Sequence, residues 1–264
     1  TYISSMHYMM EAAAEQGVEF IVLDRPNPNI SHIDGPILDP QFKSFVGMHP
    51  IPVLHGMTVG ELANMIKGEG WINQARDLKL NVIPVAGYTR TTPYSLPVKP
   101  SPNLPNDQSI ALYPSLCFFE ATPISIGRGT DFAFQVIGYS PVALGDFSFT
   151  PRSIKGAALN PKFKDQLVKG IDLRHSDTVG LNLNYLINAY QQLTQAKQLF
   201  FERADFMDNV RSIRNVYTGN YLLSEGPGLN ALVKSDNPAL DEKINSQIEA
   251  AIATINAIPQ PFAE

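Results

Sequence analysis

Apolar side chains recur along this chain with more than one period, and the changes of period predict its elements. From Ser4 to Gln16 they fall at helical spacing, and Gly17 follows as a helix stop. Val18 to Leu23 then runs apolar almost without a break, the pattern of a buried strand. Asp24, Arg25 and Pro26 close it, since proline cannot continue a ladder. Residues 26–53 are rich in Pro, Asn and Gly and predict a long loop, which in a compact domain is usually functional. Thr58 and Glu61 stand in the S/T-x-x-E relation of a capping box, so a helix is expected over about 59–68, stopped by Gly68 and Gly70. Leu80 to Val85 predicts the next strand, and residues 89–108 a second proline-rich loop containing Pro100-Ser101-Pro102-Asn103. Pro114 fits the first turn of a short helix reaching Phe119. A third loop holds Gly127-Arg128-Gly129-Thr130, and Phe132 to Tyr139 is a further strand candidate.

Residues 1–140 thus alternate helix and strand three times, which implies an α/β fold with a mostly parallel sheet. Ligands bind such sheets beyond the carboxyl ends of the strands, where the loops at 24–53 and 86–108 should gather. After about residue 141 the texture changes. Residues 182–204 read as a long helical stretch, and residues 239–258 carry a stripe of Leu240, Ile244, Ile248, Ala251, Ile252 and Ile255. The expected organisation is an α/β domain over 1–140 and a smaller, helix-rich domain over 141–264.

Composition narrows the function classes. Of 264 residues, 44% are hydrophobic and 17% charged, enough to bury a core. Twenty-five acidic against 20 basic side chains give a net charge of −5, which argues against nucleic acid as a partner. No run of eighteen apolar residues exists to span a membrane. Cys117 is the sole cysteine, so neither an intramolecular disulfide nor a multi-cysteine zinc site is possible. No metal or other cofactor is expected. Thr1 runs straight into a helical pattern with no initiator Met or signal peptide, so the chain reads as a fragment that begins in mid-fold.

Several residues have the chemistry for a site. Asp24 and Arg25 follow a strand end and either face a polar ligand or form an internal ion pair. Glu61 either closes its capping box or turns to the cleft. Glu120 ends a short helix after Leu116-Cys117-Phe118-Phe119. Apolar neighbours and the negative end of the helix dipole would favour its protonated form, as a general acid requires; the alternative is an exposed helix-end glutamate. Arg128 between two glycines suits bidentate capture of a carboxylate, although a surface Arg in a Gly-rich turn is common. His55 either polarises a substrate group or caps its loop.

Taken in order, the strings are more specific than any one of them. Leu23-Asp24-Arg25-Pro26-Asn27-Pro28, Ser44-Phe45-Val46-Gly47 and His55-Gly56-Met57-Thr58-Val59-Gly60-Glu61-Leu62-Ala63 come first. Pro100-Ser101-Pro102-Asn103, Phe119-Glu120-Ala121-Thr122 and Gly127-Arg128-Gly129-Thr130 follow. The series resembles the DUF1343 family of exo-β-N-acetylmuramidases (NamZ) over about residues 1–207. That resemblance implies a Rossmann-like domain beside a smaller one, release of N-acetylmuramic acid from peptidoglycan fragments, and export. Two departures stand out: a family motif Pro-Glu-His-Gly is absent, and Ile126 stands where the family tends to carry Glu. From about Asp208, Asn209-Val210-Arg211-Ser212-Ile213-Arg214 and the closing Ile258-Pro259-Gln260-Pro261-Phe262 resemble the end of the imelysin family, which suggests a join near 205–209.

The resemblance points to a glycoside hydrolase, in which two carboxylates flank the scissile bond. Glu120 is the expected acid, with Glu61 second. Asp24 would orient the sugar, and Arg25 or Arg128 would pair with the lactyl carboxylate of muramic acid. Asn27, His55, Asn103 and Thr130 complete the expected substrate-binding set. Two alternatives stay open: a non-catalytic cell-wall sugar-binding protein, and a piece with no function as a unit.

Overall fold

The computed structural model describes residues 2–200, together with residues 220, 221, 224, 225, 238, 242, 245 and 246. Contacts between Cα atoms group the chain into two compact units. The first comprises Thr1–Pro114 and Thr178–Leu181, the second Ser115–Asp177 and Asn182–Glu264. The observed change of unit thus falls at Pro114, ahead of the expected change near residue 140.

The first unit opens with α1 (Tyr2–Gln16), followed by β1 (Phe20–Leu23). Gly17 sits at φ 63°, and the N–H groups of Gly17 and Val18 bond the carbonyls of Ala14 and Ala13, a left-handed cap that closes α1. A hairpin follows, β2 (Ile33–Ile37) against β3 (Pro52–His55), inside the segment expected to be all loop. Its register shifts between Asp34 and Ile37, where Gly35 and Pro36 form an irregularity. Those two residues read as loop formers, and they break the alternation a strand would show. α2 (Val59–Gly68) spans the expected helix, with both reciprocal bonds of the capping box present. β4 (Leu80–Ile83) pairs parallel with β1, Phe20 opposite Leu80 through Leu23 opposite Ile83. Met6 and Met10 of α1, Val22 of β1, and Leu62, Ala63 and Ile66 of α2 share one buried core with Ile72 and Leu78.

α3 (Asp107–Leu116) corrects the expectation for Pro114. Proline lies in the last turn of this helix, not in the first turn of a shorter one. Its missing N–H would leave the carbonyl of Ile110 without its helical donor, and Asn29 Nδ2 donates to that oxygen at 3.3 Å. A 3-10 helix over Cys117–Ala121 continues the chain.

The second unit is built on antiparallel pairing. β5 (Val136–Tyr139), β6 (Phe147–Phe149) and β7 (Val168–Asp172) form a sheet in the order β5-β7-β6. The strand expected over 132–139 therefore does not extend the parallel sheet; it pairs antiparallel with β7. The unit expected to be helix-rich has, among its described residues, this sheet and its core of Val136, Phe149 and Val168, packed by Phe132, Phe147 and Phe163.

α4 (Asn184–Gln195) is shorter than the helical stretch expected over 182–204. Lys197, at φ 55°, donates to Thr194 O, and Gln198 donates to Leu193 O at 2.8 Å. This is the same left-handed cap that Gly17 provides, made with a lysine. β8 (Asn220–Tyr221) and β9 (Ser224–Glu225) pair antiparallel. The stripe over 239–258 lies outside the described residues except at 242, 245 and 246, which are helical, and the join expected near 205–209 lies outside them altogether. The architecture is mixed α/β, with a parallel pair and helices in the first unit and an antiparallel sheet in the second.

Candidate functional site

In the first unit the expected site residues cluster where β1 and β4 end. Asp24, the residue after β1, aims its carboxylate at the start of α2. Its Oδ1 accepts the Gly60 N–H at 2.7 Å, and its Oδ2 accepts the Thr58 hydroxyl at 2.7 Å. Oδ1 also accepts the backbone N–H of Arg25 at 2.9 Å. The internal ion pair held open for Asp24 and Arg25 is thus not formed; the Arg25 side chain is exposed. Gly60 makes the approach possible, since a Cβ there would lie 2.6 Å from Val82 Cγ1 and 2.8 Å from Asp24 Cγ.

Glu61 is equally committed. Oε2 accepts the Thr58 N–H at 2.9 Å, and Oε1 pairs with Arg90 Nη2 at 2.8 Å. Arg90 also donates to the Gly56 carbonyl. Asn27 stitches three segments together. Its Nδ2 donates to Met57 O at 3.0 Å, its Oδ1 accepts Asn29 N–H at 2.9 Å, and its backbone exchanges bonds with the Tyr88 hydroxyl. His55 Nδ1 accepts the Met57 N–H at 3.1 Å, which leaves Nε2 as the protonated nitrogen of a neutral ring. Burial holds this imidazole below its ordinary pKa, against the opposing charge of Glu61. Asn103 is buried, and its N–H donates to Ser101 Oγ at 3.2 Å.

A cleft of about 460 Å3 opens in the same unit. Pro28 and Asn29 from the loop after β1, Pro93, Tyr94 and Ser95 from the loop after β4, and Asp107, Ile110 and Ala111 of α3 line it. Tyr88 meets the Tyr94 ring edge to face at 6.3 Å.

In the second unit, Glu120 and Arg128 are brought together as an ion pair, with side chains 39% and 40% exposed. The apolar surroundings expected for Glu120 are not what its carboxylate meets. The Arg128 guanidinium also lies 5.4 Å from the centre of the Phe134 ring, a cation–π contact. Thr130 closes its own turn, donating from Oγ1 to Gly127 O at 2.6 Å and accepting the Phe132 N–H at 3.2 Å. Cys117 nearby has its thiol pushed up to about 12, by burial first and by the Glu120 charge second, so it is no nucleophile. Ile126 is buried.

Sequence reasoning missed four participants. Tyr88, Arg90 and Tyr94 all lie in the loop after β4, and that position was the available signal. Lys162 had none: its ammonium donates to the carbonyls of Phe119, Glu120 and Thr122 at the end of the 3-10 helix, where a cation offsets the orphan oxygens. No group of three or more His, Cys, Asp or Glu that could hold a metal ion occurs among the described residues. No helix among them is long and apolar enough to cross a membrane.

Comparison with known proteins agrees in both sequence and shape. The model of the N-terminal region of exo-β-N-acetylmuramidase NamZ matches residues 1–108, and that of its C-terminal region matches residues 111–220. An imelysin model matches residues 190–264. The peptidoglycan β-N-acetylmuramidase NamZ of Bacillus subtilis (strain 168) is 41% identical over 192 residues, which cover 67% of this chain and 45% of that protein. The chain therefore spans about 45% of the length of this curated relative. A crystal structure of a protein from Bacteroides fragilis NCTC 9343 superimposes with a TM-score of 0.73 at 39% identity, covering 97% of this chain and 68% of the other. A second from the same organism shares the fold, with a TM-score of 0.67 at 23% identity over 92% of this chain and 70% of the other.

Proposed function

This chain belongs to the DUF1343 family, and we propose on that basis that it carries part of an exo-β-N-acetylmuramidase acting on peptidoglycan-derived muramic-acid sugars. The observation that carries the reading is the 41% identity to a peptidoglycan β-N-acetylmuramidase over 192 residues. The parallel pair β1–β4 belongs to a Rossmann-like sheet in this reading, and the protein acts outside the cytoplasm in the breakdown and reuse of cell wall.

Within the chain, Glu120 acts as the acid and Arg128 as the anchor for the lactyl carboxylate. Their ion pair gives the two roles a common logic. A bound lactyl carboxylate competes for the Arg128 guanidinium and releases Glu120 to take up a proton and pass it to the leaving oxygen. Thr130, in the same turn as Arg128, supplies a polar contact to the sugar. In the first unit, Asp24, Glu61 and Asn27 act as positioning residues for the start of α2 and its adjoining loops, since their side chains are held by Thr58, Gly60, Arg90 and Met57. The Glu120→Gln protein should release N-acetylmuramic acid from a chromogenic muramide at least about a hundredfold more slowly than the wild type. Full activity in that variant would remove Glu120 from the role.

One observation favours a second reading, a cell-wall sugar-binding protein without catalysis. The carboxylates of Asp24 and Glu61 in the first unit are both consumed by the start of α2 and by Arg90. Calorimetric binding of muropeptides with no sugar released over long incubation would support it.

A further inference from the structure

A second cavity of the first unit, of about 160 Å3, is built from the connection between β2 and β3 and from Trp71, which follows α2. None of the residues considered above for the reaction lines it. Leu38, Pro40, Met48 and Pro50 give it apolar walls beside the Trp71 indole. A cavity of about 150 Å3 with apolar walls holds one benzene ring, so this one suits a ligand built on a single ring.

The polar side-chain atoms of the lining are all able to donate. Lys43 is exposed, and its ammonium has no hydrogen bond or ion pair among the described residues. The Trp71 indole N–H has no acceptor among them either. His49 turns Nε2 to His7 Nδ1 at 3.0 Å, which leaves Nδ1 as its ring nitrogen for a ligand. In the tautomer where His7 donates, His49 Nδ1 carries the proton, so the neutral pair presents a donor without ionising. No Asp or Glu lines the cavity. Two carboxylates of neighbouring segments are engaged elsewhere: Asp39 accepts the Gln41 N–H at 3.0 Å, and Glu11 accepts the Asn73 N–H at 3.0 Å. The Lys43 charge is felt by both imidazoles, whose protonation it opposes. An ammonium, an indole N–H and an imidazole N–H around an apolar slot match an anion carried on a flat apolar body. An amine on the same ring would meet the like charge of Lys43.

We propose that this cavity binds a small aromatic monocarboxylate, with its ring among the apolar walls beside Trp71 and its carboxylate accepting from Lys43 Nζ, Trp71 Nε1 and His49 Nδ1. The site is independent of the muramidase reading.

The test is NMR titration of this chain with benzoate and, separately, with benzamide, its neutral isostere. Trp71 is the sole tryptophan, so its indole N–H gives one assignable signal. Benzoate should move that signal saturably and bind about tenfold more tightly than benzamide. Lys43→Met keeps an apolar stem and removes the charge. It should weaken benzoate about fivefold and leave benzamide unchanged, with a melting temperature close to wild type because Lys43 is exposed. Equal affinity for benzoate and benzamide would show an apolar slot only and overturn the site. Benzoate bound undiminished by Lys43→Met, or no saturable shift of the indole signal, would overturn it as well. Sugar release enters none of these outcomes, so a failure here leaves the muramidase reading standing, and a failure of that reading leaves this site.

Discussion

At Gly60 a single hydrogen atom sets how closely α2 can approach β1 and β4. A methyl group there would overlap Val82 and the Asp24 carboxyl, separating Asp24 from the N–H it accepts. Gly60→Ala should therefore cost roughly 1–3 kcal/mol, read as a lower urea midpoint at unchanged slope, despite alanine's better helix propensity. A second residue-scale feature is the buried pair His7 and His49, whose Nδ1 and Nε2 meet at 3.0 Å. Trp71 stacks on His49 at 5.1 Å, and Tyr8 packs edge-on against His7 at 5.5 Å. Burial lowers both imidazoles; His7 and Lys43 push His49 further, to about 4, while Glu11 opposes the shift at His7. A folded pKa below the unfolded value of 6.5 means that the unfolded chain binds protons first as the pH falls. Stability from this pair is present in full above 6.5 and is lost as the pH falls toward 4. Urea midpoints at pH 7, 5.5 and 4.5 should decline, and His49→Phe should flatten that decline.

At the scale of elements, three helices close with the same left-handed cap, and only two of the three announce it. Gly17 and Gly70 hold positive φ after α1 and α2, and glycine at that place is what a reader of the sequence looks for. Lys197 holds the same conformation after α4, so the periodicity of residues 182–204 continued on paper past the point where the backbone turns. Lys197→Gly relieves a strained residue and should raise the melting temperature or leave it unchanged, by up to about 1 kcal/mol, whereas Lys197→Val should lower it. The capping box was legible because Thr58 and Glu61 are bound to each other by a fixed spacing. Asp24 as its third member was not, since the bond from Thr58 spans 34 residues. Thr58→Ala removes both the cap and that bond, and should cost about 1–2 kcal/mol by denaturant titration. The hairpin of β2 and β3 was hidden for another reason. Its bulge is made of Gly35 and Pro36, and Ile33 and Ile37 are exposed, so no alternation marks it.

At the scale of the molecule, local pattern fixed which segments are helices and strands better than which strands pair. β1 and β4 paired parallel as expected, but β5 reads from sequence like another member of the series and joins an antiparallel sheet instead. Strand pairing is decided by residues far apart in sequence, and a four-residue strand buried along its whole length gives no period from which to choose. The candidate site divides in the same way. Residues in named motifs were found, and what each does was decided by distant partners: Arg90 for Glu61, Arg128 for Glu120, Tyr88 for Asn27. Asp107 and Tyr94 carry no motif, and only the cleft joins them. The exposed Arg90–Glu61 pair adds little to stability, less than about 1 kcal/mol, so its removal should matter mainly through the loop it holds.

The most direct test of the account is sugar release from the disaccharide of N-acetylmuramic acid and N-acetylglucosamine, measured for the wild-type chain and for Glu120→Gln. The account predicts that the wild type frees N-acetylmuramic acid and that the variant, folded to the same melting temperature, does so at least about a hundredfold more slowly. Equal release by the two proteins, or none by the wild type, would contradict it.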